Sequence, residues 1–211
     1  MIRLFAGMIL LACLVAPALA GPDAAAVNDA EFKGKAPADD RIHPAVVKAQ
    51  VLLDRANFSP GEIDGKLGEN AEKALKAFSE SKGLAAGKQP LTSEVWSALL
   101  ATSSEPVVVD YKITEKDAKG PFLKKLPAKM EDMKELKSLD YTSPREALAE
   151  KFHMSEGLLE ALNPGKKFDE AGQTISVVNT MPKEKSAKSN AKPKQARRPL
   201  TRVEVDKEVQ T

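Results

Sequence analysis

The chain has 211 residues, 32 of them Lys or Arg against 30 Asp or Glu, with two histidines and one cysteine. Residues 181–211 hold nine basic residues against four acids, so the stretch between residue 21 and residue 180 is mildly acidic. Cys13 lies in the leader, and His43 and His153 are the only histidines. The body of the chain therefore has no disulfide framework, no thiolate metal site, no cysteine nucleophile and no histidine cluster for a metal.

Arg3 opens the chain with a short positive region, Leu4 to Val15 follow as an uncharged apolar run, and Ala18-Leu19-Ala20 gives a small-x-small cleavage pattern. The run falls short of the ~20 residues that a spanning helix needs. Residues 1–20 read as a signal peptide, with the mature chain starting at Gly21, exported to the periplasm or cell envelope and not inserted in the membrane after cleavage. The competing reading is a lipoprotein signal, Leu10-Leu11-Ala12-Cys13, which would place a lipid on Cys13. Residues 21–40 read as a linker.

Residues 41–102 form the first compact segment. Val46, Ala49, Leu53 and Ala56 share one helical face, and Pro44 suits the first turn. The stretch Asn57 to Gly68, with Pro60-Gly61 and Asp64-Gly65 flanking Ile63, predicts a tight double-turn loop. Ala71, Ala74, Leu75 and Phe78 repeat at helical spacing, and Gly83 ends that helix in a left-handed turn. Thr92 caps a short third helix bearing Val95, Trp96, Leu99 and Leu100. Phe58, Phe78, Leu84 and Trp96 are core candidates first, and Asp64 is first a turn residue.

Residues 107–179 form the second. Val107 to Thr114 is β-branched and aromatic and predicts a strand. Residues 115–139 read as an irregular insertion with one helical turn near Met130 to Leu136. Ser143-Pro144-Arg145-Glu146 combines a capping box with proline at the first helical position and predicts a helix through Phe152, its apolar face Ala147, Leu148 and Phe152. Ser155 caps a second helix with Leu158, Leu159 and Leu162, closed by Asn163-Pro164-Gly165. Ile175 to Val178 returns as a strand after Gly172. His153 reads as a helix-end histidine and Asn163 as a helix cap.

Residues 181–199, rich in Lys, Pro, Ala and Ser with no aromatic residue, predict a solvated linker. Without aromatic side chains between the charges the tail lacks stacking platforms, so nucleic acid is not an expected partner. Thr201 to Lys207 alternates polar and apolar residues like a half-buried strand. The fold class expected is α+β, with two small modules joined by linkers.

Three resemblances follow from these residues. Phe58 with Pro60-Gly61-x-Ile63-Asp64-Gly65-x-x-Gly68, then Ala74-Leu75-x-x-Phe78, Gly83-Leu84, Gly87, Trp96 and Leu99 resemble the peptidoglycan-binding-like three-helix domain. Tyr111-x-Ile113-Thr114, Glu146-Ala147-Leu148-Ala149-x-x-Phe152-x-Met154-Ser155, Leu158-Leu159, Asn163-Pro164, Gly172 and Ile175-x-Val177 resemble a LysM domain of βααβ order. The whole order, closing on Arg202-Val203-x-Val205-Asp206-Lys207, is similar to the front of an envelope L,D-transpeptidase. What the resemblances imply is binding of peptidoglycan, through glycan strands or stem peptides, by a monomer without metal or cofactor. Implied contacts are Phe58, Asp64 and Gly65 in the first segment and Thr142, Ser143, Asn163 and Gly165 in the second. The transpeptidase resemblance implies a nucleophilic Cys and a partner His beyond Thr211, so that the chain is expected to be either a dedicated wall-binding protein or the leading part of a cross-linking enzyme. Acyl transfer needs an activated nucleophile beside a base. No Gly-x-Ser-x-Gly elbow occurs in the sequence, and no catalytic residue is assigned.

The leader makes a direct prediction. The intact mass of the exported protein should correspond to a chain starting at Gly21, and a diacylated species starting at Cys13 would refute the cleavage site.

Overall fold

The computed structural model describes residues 21–85, 87, 89–123 and 141–180. The leader, the helical turn expected near Met130 to Leu136, the basic stretch 181–199 and the strand expected in 200–211 lie outside the described residues. Within them the fold is mixed α+β: α1 (Ala24–Asn28), α2 (Pro44–Arg55), α3 (Glu69–Ser81), α4 (Ser93–Leu100), β1 (Val108–Lys112), α5 (Glu115–Lys119), α6 (Pro144–Lys151), α7 (Glu156–Leu162) and β2 (Thr174–Val178). Among the described residues no helix is long and apolar enough to cross a membrane.

Local chemistry sets most of these boundaries. Pro44 occupies the first turn of α2, where its missing N–H costs nothing. Gly83, one residue past the C-cap of α3, takes φ +65°, where a side chain would be strained. Thr92, Ser143 and Ser155 each accept a hydrogen bond from a backbone N–H three residues on, capping α4, α6 and α7. The strands pair antiparallel, from Val108 opposite Val178 to Lys112 opposite Thr174.

Some expectations fail at this level. The segment 21–40, read as a linker, contains α1. An Ala-rich helix of five residues has no stability of its own in water. It is held by tertiary contacts: Val27 is fully buried, and Asn28 accepts at 2.9 Å from both Val107 N and Val108 N while its amide donates to Val108 O. Lys48 of α2 reaches back to Asn28 O and Ala30 O. The stretch read as an irregular insertion from residue 115 opens with α5, nucleated by a capping box in which Thr114 and Asp117 exchange hydrogen bonds. Glu146 does not close the box on Ser143. Its carboxylate accepts instead from the backbone N–H and hydroxyl of Thr142. Leu100 is 40% exposed, and Ala56 and Ala147 are only half-buried.

The two compact segments share one continuous apolar core, running from Val27 through Leu53, Phe78 and Leu99 to Phe152, Leu159 and Val178. A segment of roughly 60 residues buries only about 60% of its unfolded surface, so docking the two enlarges a core that either would build poorly by itself. Two polar devices fix the junction. Ile63 N donates to His153 O at 2.8 Å and Ser155 N donates to Ile63 O at 2.9 Å, an isolated parallel bridge from the double-turn loop to the corner between α6 and α7. Arg55, at the end of α2, donates to the carbonyls of Asn179, Glu105 and Pro106 and to Ser103 Oγ. Its guanidinium spans the connection into β1 and the exit of β2.

Asn28→Ala strips partners from two buried backbone amides. Leaving such groups unpaired costs about 1–3 kcal/mol each, so urea unfolding should show a loss of about 2–3 kcal/mol. A change near zero would remove α1 from the fold's supports.

Candidate functional site

The expected contact residues divide between two places. Phe58, Asp64 and Gly65 belong to the double-turn loop after α2. Thr142, Ser143, Asn163 and Gly165 lie where α6 begins and α7 ends.

In the first group, much of the polar capacity is turned inward. Gln50 of α2 is 2% exposed, and its amide donates to Asp64 Oδ1 at 2.9 Å and Lys66 O at 3.2 Å while its oxygen accepts from Gly65 N at 2.8 Å. Asp64 Oδ1 also accepts from Lys66 N. Gly65 is buried at φ +75°, and a Cβ there would come within 2.7 Å of Ile42 Cγ2 and 2.8 Å of Val47 Cγ2. These two residues shape the turn around a buried glutamine, and no ligand is needed to explain them. Phe58 is half-buried, edge-on to Phe78 with ring centroids 5.5 Å apart. It also lines a groove of about 320 Å³ with Gly61, Asn70, Lys73 and Ala77.

In the second group Asn163 is 2% exposed and fully used. Its amide donates to Leu159 O and Ser176 O, and its oxygen accepts from Ser176 N at 2.7 Å. It ties the end of α7 to β2, so its side chain is unavailable to a ligand and the cap reading extends into a clamp. Arg145 pairs with Glu156 and Glu160, which ties the start of α6 to the first half of α7. Thr142 and Ser143 stand at the start of α6, and Gly165 lies just past the end of α7. Thr142 is exposed, but its N–H and O–H both point to Glu146, and these bonds hold the Glu146 carboxyl below its ordinary range. Ser143 Oγ accepts from Glu146 N as the cap of α6. Gly165 is exposed at φ +73° with open space beside it.

Sequence reasoning missed a polar cluster at the end of α6. Asp117 of α5 accepts from the Tyr111 hydroxyl at 2.6 Å, from Thr114 N and Oγ1, and from Lys151 Nζ at 2.9 Å. Lys151 Nζ also donates to the Tyr111 hydroxyl and lies 4.6 Å from the centre of its ring. Burial works to raise the Asp117 pKa, and the bonds from Thr114, Tyr111 and Lys151 overcome it, holding the carboxyl well below the usual range. The spacing Thr114-x-x-Asp117 was the available signal for this cluster. Among the described residues no group of three or more His, Cys, Asp or Glu side chains is placed to hold a metal ion.

At the other end of α6, His153 takes φ +56° and its ring meets Asp54 of α2 at 3.3 Å. It is a helix-end histidine, as its position suggested, with the addition that it reaches the first segment. Asp54, Arg55, Asn57, Ser59, Lys151, His153 and Thr180 enclose a cleft of about 410 Å³ at the junction.

The depressed Asp117 pKa gives a pH test. A carboxyl whose folded pKa lies below its unfolded value of about 3.9 contributes stability that is complete above that value and lost as pH falls through the folded pKa. Asp117→Asn should therefore lower the melting temperature at neutral pH and flatten its fall below roughly pH 4. An acid limb as steep as the parent's would show that Asp117 is not held as described. No protein-family model matches the chain, and no curated protein matches it.

Proposed function

We propose that this is an exported periplasmic protein that binds peptidoglycan and holds it without a catalytic centre of its own. The observation that carries the reading is the second segment: two antiparallel strands, Val108–Lys112 and Thr174–Val178, enclosing in sequence two serine-capped helices. With α5 (Glu115–Lys119) added after β1, this order supports the resemblance to LysM domains of βααβ order. The three helices α2, α3 and α4, the first two joined through the Pro60–Gly68 loop, fit the peptidoglycan-binding-like pattern in the same way. In this reading Thr142, Ser143 and Gly165 meet glycan, and the Phe58 groove is the face offered to stem peptide. Asp64, Gly65 and Asn163 support these surfaces from within.

The purified chain from Gly21 should co-sediment with isolated sacculi at physiological salt. Recovery entirely in the supernatant would reject the proposal. Binding that disappears only when residues 181–199 are deleted would assign the affinity to the basic stretch instead. Incubation with tetrapeptide muropeptides and an acceptor D-amino acid should give no exchange above buffer, and turnover would overturn the non-catalytic part.

A further inference from the structure

We propose that the segment 21–28 is a releasable cover on the outer edge of β1, and that a second copy of this chain pairs with that edge when the cover lifts. This interaction goes beyond wall binding and does not depend on it. Ile113 N donates to Gln173 O and Asn179 N donates to Val107 O, so the odd-numbered residues of β1 face β2 and the even-numbered ones face away from it. On the far edge of β2 the outward groups are engaged. Asn163 bonds both the N–H and the C=O of Ser176, Lys166 Nζ donates to Thr174 O, and Val178 is fully buried. On the far edge of β1 Asn28 engages the N–H and C=O of Val108 as a neighbouring strand would. The backbone groups of Asp110 and Lys112 have no partner among the described residues.

The charges on this edge select the partner. When β1 is laid antiparallel on its own copy about Tyr111, Asp110 stands opposite Lys112 of the second copy and Lys112 opposite its Asp110. In both pairs the N–H and C=O groups turn toward each other, and the opposed side chains fall on one face. Asp110 and Lys112 are exposed, and neither side chain has an ion-pair partner among the described residues. The edge is therefore complementary to itself in both charge and hydrogen-bond direction.

The cover is what prevents that pairing. Beyond Lys112 the second copy would run past Val108, the place held by Asn28 and α1. A helix laid over a sheet edge is one way in which proteins keep the edge from pairing. This helix has five residues and no stability of its own. It stays down through Val27 in the core, through Asn28, and through Lys48, which donates to Asn28 O and Ala30 O. With the β2 edge closed, release exposes one edge, so association stops at a symmetric pair and does not run on into a fibre.

The test follows the full chain from Gly21 by sedimentation velocity and by hydrogen exchange over a range of protein concentrations. Asn28→Ala loosens the cover at the edge itself. Lys48→Met is the milder variant, dropping the two bonds to Asn28 O and Ala30 O while leaving Asn28 in place. Asp110→Lys, at an exposed position, sets lysine against lysine in the pair and is combined with each. The parent should sediment as one chain, and Asn28→Ala should self-associate at least about tenfold more tightly, toward two chains, with Lys48→Met between them. In the associating variants the amides of Asp110 and Lys112 should gain protection as concentration rises, and adding Asp110→Lys should restore one chain without raising the melting temperature. That last comparison separates edge pairing from aggregation of unfolded chains. Association that survives Asp110→Lys, association without protection at Asp110 and Lys112, or loosened variants that stay single would each overturn the proposal.

Discussion

Everything in this molecule turns on how one isoleucine is paired. Ile63 is fully buried between two tight turns, and its backbone gives a hydrogen bond to His153 O and takes one from Ser155 N. A side chain alone would leave the two segments free to slide, because apolar contact is non-directional. The backbone pair fixes register, setting the corner between α6 and α7 against the loop after α2. That corner then decides where His153 stands relative to Asp54, and so the shape of the cleft beneath them.

Around this pair the fold spends polar side chains on its own backbone. Asn28, Gln50, Arg55 and Asn163 each bond two or more main-chain groups that secondary structure leaves over. Buried N–H and C=O groups require partners, and in a domain with a sheet of two strands, side chains supply many of them. The same residue types would serve a carbohydrate ligand, which is why asparagine and aspartate at turn positions resemble contacts when read from sequence. Their burial separates the two roles: Asn163 is enclosed, whereas Asn57 is exposed.

The elements legible in the sequence are those whose signal is local. Pro44, Thr92, Ser143, Ser155 and Gly83 announce helix ends through hydrogen bonds and φ values confined to a few residues, and the β-branched run at Val107 to Val109 announces a strand. What was not legible depends on distant partners. The helix at Ala24–Asn28 has no periodic face long enough to read, because its support comes from residues 107 and 108. The Asp117 cluster had its box in the sequence, yet its meaning required Tyr111 and Lys151 to converge on it. Of the expected contacts, Thr142 and Gly165 are exposed, whereas Asp64, Gly65 and Asn163 are structural. Sequence spacing alone carries no information on which way an amide faces.

The reach of Arg55 has a kinetic corollary. Its partner Asn179 O is 124 positions away along the chain, and Asn28 bridges 79 and 80 positions to β1, which itself waits for β2. Loop closure over such spans must precede the contacts that reward it, which slows folding relative to a bundle of local contacts. The seam between the two segments therefore cannot close until residue 179 is within reach of Arg55, so it forms after the helices whose contacts are local.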